Sequence, residues 1–183
     1  MNYADIKKLD VANGPGVRVT IFVSGCNHHC KNCFNKETWD FNYGKEFTND
    51  TINEIIKELS PSHIKGLTLL GGEPFEPINQ KGLLPLVKKV REIYPDKDIW
   101  AFSGFLFDKD IIEKMYKNDY TKELLSNIDV LVDGPFVEEL KNPSLKFKGS
   151  SNQRTIDVKE TIKYIKKDND NFYISKSDIK LLF

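Results

Sequence analysis

Cys26, Cys30 and Cys33 lie within eight residues, in the run Cys-Asn-His-His-Cys-Lys-Asn-Cys, and are all the cysteine in this chain of 183 residues. An odd, tight set is a poor disulfide framework, because a bridge between residues three or four apart closes almost no loop. Thiols kept reduced for metal, redox or nucleophilic work fit better. Four chemistries compete for the Cys-x3-Cys-x2-Cys spacing. One is an iron–sulfur cube held by three thiolates, with one iron left open. A second is structural zinc with His28 or His29 as fourth ligand. The third is a redox pair made by Cys30 and Cys33, and the fourth is inert buried thiols. A polar loop argues against inertness, and the redox pair leaves Cys26 without a part. Spacing alone leaves cluster and zinc open, although zinc sites more often take their ligands as two separated pairs.

A second stretch bears on the choice. An open iron needs an outside ligand, and Gly71-Gly72-Glu73-Pro74 could receive one. Glycines let backbone approach a bound molecule closely, Glu73 can meet an ammonium group, and Pro74 fixes the turn. Alone, these four residues are only a turn. Their weight comes from their place, just past a buried strand and one βα unit beyond the cysteines.

The elements that must position these residues are legible from the hydrophobic pattern. Val17 to Ser24 is rich in β-branched residues and reads as a buried strand. Thr48 caps an expected helix to about Leu59, with Ile52, Ile55, Ile56 and Leu59 on one face. Gly66 to Leu70 is a second strand. Leu83, Leu86, Val87, Val90 and Ile93 mark a helix ended near Pro95. Ile99 to Phe102 is a third strand. Asp108 is expected to cap a helix carrying Ile111, Ile112 and Met115, and a further turn lies near Leu124. Ile128 to Val132 is a fourth strand and Arg154 to Val158 a fifth. Strands alternating with amphipathic helices predict βα units and a mostly parallel sheet. Gly25, Gly71-Gly72, Ser103-Gly104 and Asp133-Gly134 each follow a strand. In parallel α/β sheets, such loops at carboxyl ends build the functional rim.

Composition narrows the rest. Lysine plus arginine and aspartate plus glutamate both count 27, which argues against a dominant nucleic-acid or membrane footprint. Apolar residues make up 39% of the chain, as in a folded globular protein. No apolar run reaches the roughly 18–20 residues of a membrane span, and Met1 to Asp10 lacks a signal-peptide core. A cytoplasmic location is the expectation.

With the cysteine loop after the first strand and the Gly-Gly-Glu-Pro turn after the second, the chain resembles the radical S-adenosylmethionine (SAM) superfamily. It is similar in particular to the small activating enzymes of anaerobic (class III) ribonucleotide reductase. The resembling stretches are Asn13 to Arg18, Phe22 to Asn35, Thr38-Trp39, Gly71 to Pro74, Ser103 to Phe105, Asp129 to Phe136 and Gly149 to Arg154. They cover about residues 1–158. The resemblance implies a [4Fe–4S] cluster ligated by Cys26, Cys30 and Cys33, with SAM on the open iron through its amino and carboxylate groups. Reductive cleavage of SAM would yield a 5′-deoxyadenosyl radical, which takes a hydrogen atom from a glycine of the reductase large subunit. It further implies that Asn32, Cys33 and Phe34 lie against SAM, with the Phe34 ring near adenine. Gly72 and Glu73 would receive the amino group. Ser103 and Asp133 are further candidate contacts, and Arg18 with the Asn13 to Gly16 turn would border the glycine's entry. An electron donor such as a flavodoxin is implied. One departure is Asn32, where many superfamily members carry an aromatic residue.

The expected architecture is a single-domain α/β protein, an incomplete (β/α) barrel of mostly parallel strands. A chain this short cannot hold eight βα units of about 30 residues. Residues 1–158 are the expected core, and 159–183 a C-terminal extension packed on it, its role unread. Two rivals remain: an activator of another glycyl-radical enzyme such as pyruvate formate-lyase, and a zinc-stabilised binding module. Plainer readings also stand. His28 and His29 would be solvent-facing, His63 structural, and Trp39 packed under the loop. Arg18 could form a salt bridge, Asp133 could cap its turn, and Gly149 to Arg154 could be an ordinary loop. Lys166 and Lys167, beside Asp168 and Asp170, read as a solvated face.

Overall fold

The β-branched run forms strand β2, Val17–Val23, which stands near the middle of the sheet. A computed structural model describes all 183 residues. The remaining strands of the sheet are β1 (Asn2–Asp10), β3 (Lys45–Glu46), β4 (Ile64–Gly71), β5 (Asp98–Phe102), β6 (Val130–Asp133) and β7 (Arg154–Asp157). Their order is β3-β1-β2-β4-β5-β6-β7. The central four, β2, β4, β5 and β6, run parallel. β1, β3 and β7 are antiparallel to their neighbours, so the sheet is mixed, with β3 and β7 at its edges.

Helices return the chain between the parallel strands: α1 (Asn49–Leu59), α2 (Pro77–Ile93) and α3 (Asp119–Asn127). Thr48 caps α1 through a reciprocal box, its hydroxyl accepting from Thr51 N at 3.4 Å while Thr51 Oγ1 accepts from Thr48 N at 3.2 Å. The start of α2 lies six residues before the expected Leu83. Pro77 opens it, where a missing N–H leaves no bond unmade. Its first turn buries Asn79 and Gln80, so it lacks the apolar period that would reveal it.

Asp108 does not cap a helix. The segment Phe107–Met115 is a wide π-helix, with Ile111 N donating back five residues to Leu106 O at 3.1 Å. Asp108 is buried within it. β1 went unseen in the sequence because it exposes one face to water, where Lys7 and Lys8 interrupt the apolar signal.

Strand alternation gives the sheet two distinct faces. Val19, Ile21, Val23, Leu67, Leu69, Ile99, Ala101, Leu131 and Ile156 join the apolar side chains of α1, α2 and α3 in one core. The other face carries Arg18, Thr20, Thr68, Trp100 and Val132, all buried, with Leu70 and Phe102 toward the rim. Arg18 is fully buried there: Nη1 stands 2.6 Å from Asp98 Oδ1, and Nε donates to Thr68 Oγ1 at 2.7 Å. It is a structural ion pair under the Asn13 turn, whose carbonyl accepts from Thr68 Oγ1 at 2.9 Å.

After β7 come a short α4 (Val158–Thr161) and a hairpin of β8 (Lys166–Asp168) with β9 (Asn171–Tyr173). Phe172 meets the Tyr116 ring edge-on at 5.2 Å, and Ile174 and Ile179 enter the core. The last residues run beside β7: Asp157 N donates to Lys180 O at 2.8 Å and Leu182 N to Thr155 O at 2.9 Å. That contact covers an otherwise open strand edge.

Candidate metal centre

The parallel register brings four strand ends to one rim. Val23 pairs with Gly71, Leu69 with Ala101 and Phe102 with Val132, so the loops at Ser24, Gly72, Ser103 and Gly134 stand together. They line a cavity of about 490 Å³, within the range of small-molecule sites. Cys26, Cys30 and Cys33 all face it, with Asn32, Phe34, Gly72 and Ser103. Ala12 and Asn13 of the β1–β2 turn also border it.

The cysteine loop is fixed at its base by backbone. Gly25, at φ +99°, donates to Thr38 O at 2.8 Å, and Cys26 N to Trp39 O at 3.3 Å. The adjoining turn is joined to it: Gly72 N donates to Val23 O at 2.7 Å and Glu73 N to Gly25 O at 2.9 Å. A Cβ on Gly72 would lie 2.6 Å from Gly25 O and 2.9 Å from Thr38 O. This glycine therefore answers first to the packing of one loop on the other.

Glu73 is wholly buried and fully engaged. Oε1 accepts from Phe75 N at 2.8 Å and Ser103 Oγ at 2.9 Å. Oε2 accepts from Gly104 N at 2.7 Å and lies 2.8 Å from His28 Nε2. His28 is thus not solvent-facing. It meets the Phe105 ring edge-on with centroids 4.4 Å apart, and its bond to Glu73 turns it inward. Burial pulls the His28 pKa down, but the hydrogen bond and charge of Glu73 outweigh it and leave the group raised. His29 packs on Trp39 at 4.6 Å.

Asp133 does not line the cavity. Its Oδ1 accepts from Arg154 Nε at 2.9 Å, and its Oδ2 accepts from Phe107 N at 2.7 Å and from Arg154 Nη2. Arg154 Nη2 also reaches Asp108 Oδ1 at 2.7 Å. Asp133 has a structural part: this buried carboxylate ties β7 and the π-helix to the end of β6. Ser103 lines the cavity, but its hydroxyl is spent on Glu73. Phe34 is 83% exposed at the rim, so its ring is free to stack on a ligand.

The donor set suits an iron–sulfur cube. No three of the His, Cys, Asp and Glu side chains are close enough to share one metal ion. A cube does not need that, because its thiolates bind three different irons. His28 is hydrogen-bonded to Glu73 and His29 packs its ring on Trp39, and neither stands in a three-donor cluster with the cysteines of the kind a zinc site needs. Burial pushes the Cys26 thiol up to about 12 and raises Cys30 too. Without metal both stay protonated at neutral pH, and metal binding would deprotonate them.

Sequence reading missed the residues that fasten the site from below. Glu76 Oε1 accepts from Asn27 Nδ2 at 2.9 Å, in the middle of the cysteine loop. Asn79 Nδ2 reaches the carbonyls of Ser24, Gly25 and Glu73. The available signal was two polar residues at the head of a helix, directly after the Gly-Gly-Glu-Pro turn.

A family model described as a 4Fe-4S single cluster domain matches residues 12–156. Among characterised proteins, the anaerobic ribonucleoside-triphosphate reductase-activating protein of Vibrio cholerae is 43% identical over 155 residues, covering 84% of this chain and 96% of that protein. The protein of the same name from Escherichia coli K12 is 44% identical with the same coverage. Its counterpart in Enterobacteria phage T4 is 41% identical over 154 residues, covering 84% of this chain and 92% of that protein.

Proposed function

This chain belongs to the family of anaerobic ribonucleoside-triphosphate reductase-activating proteins and carries a 4Fe-4S single cluster domain, and from that premise we propose that it activates an anaerobic ribonucleotide reductase by radical SAM chemistry. When bound, the cluster and SAM together supply a carbon radical able to take a hydrogen atom from a glycine of the reductase.

The chain's own residues do the holding and shielding. Cys26, Cys30 and Cys33 hold the cluster by three irons. Gly72 and Glu73 would take the amino group of SAM. Phe34, beside Asn32, covers the adenine at the rim. Phe102, Phe136 and Phe147 line the cavity and keep it apolar, which suits a site where water would quench a radical. The sheet acts as an incomplete barrel, and the opening beside the Asn13 turn admits a loop of the protein substrate. Residues 1–158 form the catalytic core and 159–183 an extension packed on it. No helix is long and apolar enough to cross a membrane. We place the protein in the cytoplasm, with an electron donor of the flavodoxin kind.

One observation carries this reading: the three cysteines and Gly72 line the same cavity, and the turn is joined to the cysteine loop by Glu73 N to Gly25 O at 2.9 Å. The test is electron paramagnetic resonance on the anaerobically reconstituted protein, mixed with SAM, reductant and each candidate enzyme. A glycyl radical on the ribonucleotide reductase supports the proposal. A radical on pyruvate formate-lyase alone overturns it.

A further inference from the structure

The 4Fe-4S family model stops at residue 156, and the extension beyond β7 turns back to lie along that strand. Ile174 and Ile179 anchor it in the core, and Lys180 N donates to Thr161 Oγ1 at 3.0 Å. Leu181 then stands opposite Ile156 in an antiparallel bridge. The bonds beside it, Asp157 N to Lys180 O at 2.8 Å and Leu182 N to Thr155 O at 2.9 Å, belong to the neighbours of Leu181. In an antiparallel pair, the residue between two such bonds turns its own N–H and C=O outward. The extension therefore covers the edge of β7 and offers a new edge in its place.

That edge is apolar and faces water. Leu181 is 56% exposed, Leu182 40% and Phe183 60%. Large apolar side chains held along an open strand edge suit the addition of another strand.

The surroundings are cationic. Lys180 Nζ lies 4.6 Å from the centroid of the Tyr164 ring, and Lys146 Nζ 5.8 Å from that of Phe183. Neither lysine forms a salt bridge. Two copies of this chain paired edge to edge would bring like charges together, so the fit is to a different chain that supplies carboxylates. Lys146 also sets the edge beside the cavity, because its neighbours Leu145, Phe147 and Lys148 line the cavity wall. A protein whose glycine enters that cavity comes within reach of this edge.

Resting on the activation reading above, we propose that Leu181, Leu182 and Phe183 form a docking edge for the reductase. The edge takes an extended segment of the reductase as an added strand, with apolar side chains flanked by acidic ones.

The test is binding of the anaerobically reconstituted protein to the large subunit of an anaerobic ribonucleotide reductase, at low and at moderate salt. Analytical ultracentrifugation of the activator alone accompanies it. Leu181→Pro removes the outward N–H and leaves both bonds to β7 in place. Lys146→Glu combined with Lys180→Glu reverses the local charge. Each variant is expected to weaken reductase binding about tenfold or more, with iron content and thermal midpoint as in the wild type. Salt should weaken the wild-type complex more than the charge-reversed one. Unchanged affinity in either variant overturns the proposal. So does a wild-type dimer that Leu181→Pro splits, which gives the edge to a second copy. A fall in iron content that matches the fall in affinity also overturns it, because the effect is then one of folding. Wild-type protein that does not bind the reductase overturns the activation reading and this proposal together. Wild-type protein that binds through this edge but leaves no glycyl radical overturns the radical reading and supports the surface.

Discussion

The side-chain nitrogen of Asn79 donates to the Glu73 carbonyl oxygen at 2.9 Å, and stands 3.0 Å from the Ser24 carbonyl oxygen. One buried amide thus ties the base of the cysteine loop to the turn that faces it. Asn79→Leu leaves those carbonyls without a donor. It is expected to cost about 1–3 kcal/mol and to lower iron content after reconstitution. Thermal unfolding and iron analysis check both.

Gly72→Val tests how closely the two loops pack. The new Cβ would press on the Gly25 and Thr38 carbonyl oxygens, at 2.6 and 2.9 Å, so the cysteine loop itself must move. Cluster content and SAM affinity should fall together, and a variant with a full cluster but weak SAM binding would contradict this.

Arg154→Leu leaves Asp133 and Asp108 buried without their cation. Loss of one partner of such a pair costs about 3–5 kcal/mol. Chemical denaturation should show a loss of that order. A change below about 1 kcal/mol would mean that the pair is merely tolerated.

Asp129 gives a pH signature. Burial alone would raise its pKa, but hydrogen bonds from Lys159, Arg91 and the Ile99 amide more than offset that and hold it below the usual carboxylate value. A depressed folded-state pKa contributes stability above the unfolded value, about 3.9, and that stability is lost as pH falls through the folded value. Asp129→Asn should therefore cost about 1–3 kcal/mol at pH 7 and progressively less below pH 4. A penalty that stays constant with pH would contradict the assignment.

The parallel strands were legible because β2, β4, β5 and β6 are buried on both faces and read as short apolar runs. The three cysteines were legible by their spacing, and the Gly-Gly-Glu-Pro turn by its place just past a buried strand. What escaped depends on pairing across distance. His28 faces inward only because Glu73, 45 residues away, accepts it. Asp133 is turned from the cavity by Arg154, 21 residues on. β1 and the tail along β7 are edge segments, where one wet face dilutes the apolar pattern. Asn79 and Gln80 hid the head of α2 because their buried side chains are polar, Asn79 being spent on the site's loops and Gln80 on Phe75 O and Thr121 Oγ1.

The central claim is that Cys26, Cys30 and Cys33 hold an iron–sulfur cube. Iron, sulfide and zinc analysis of the protein and of Cys30→Ala, both purified without oxygen, tests it most directly. The account predicts iron and acid-labile sulfide in the proportions of one [4Fe–4S] cluster in the wild-type protein, lost in Cys30→Ala. One zinc per chain with neither iron nor sulfide would contradict it.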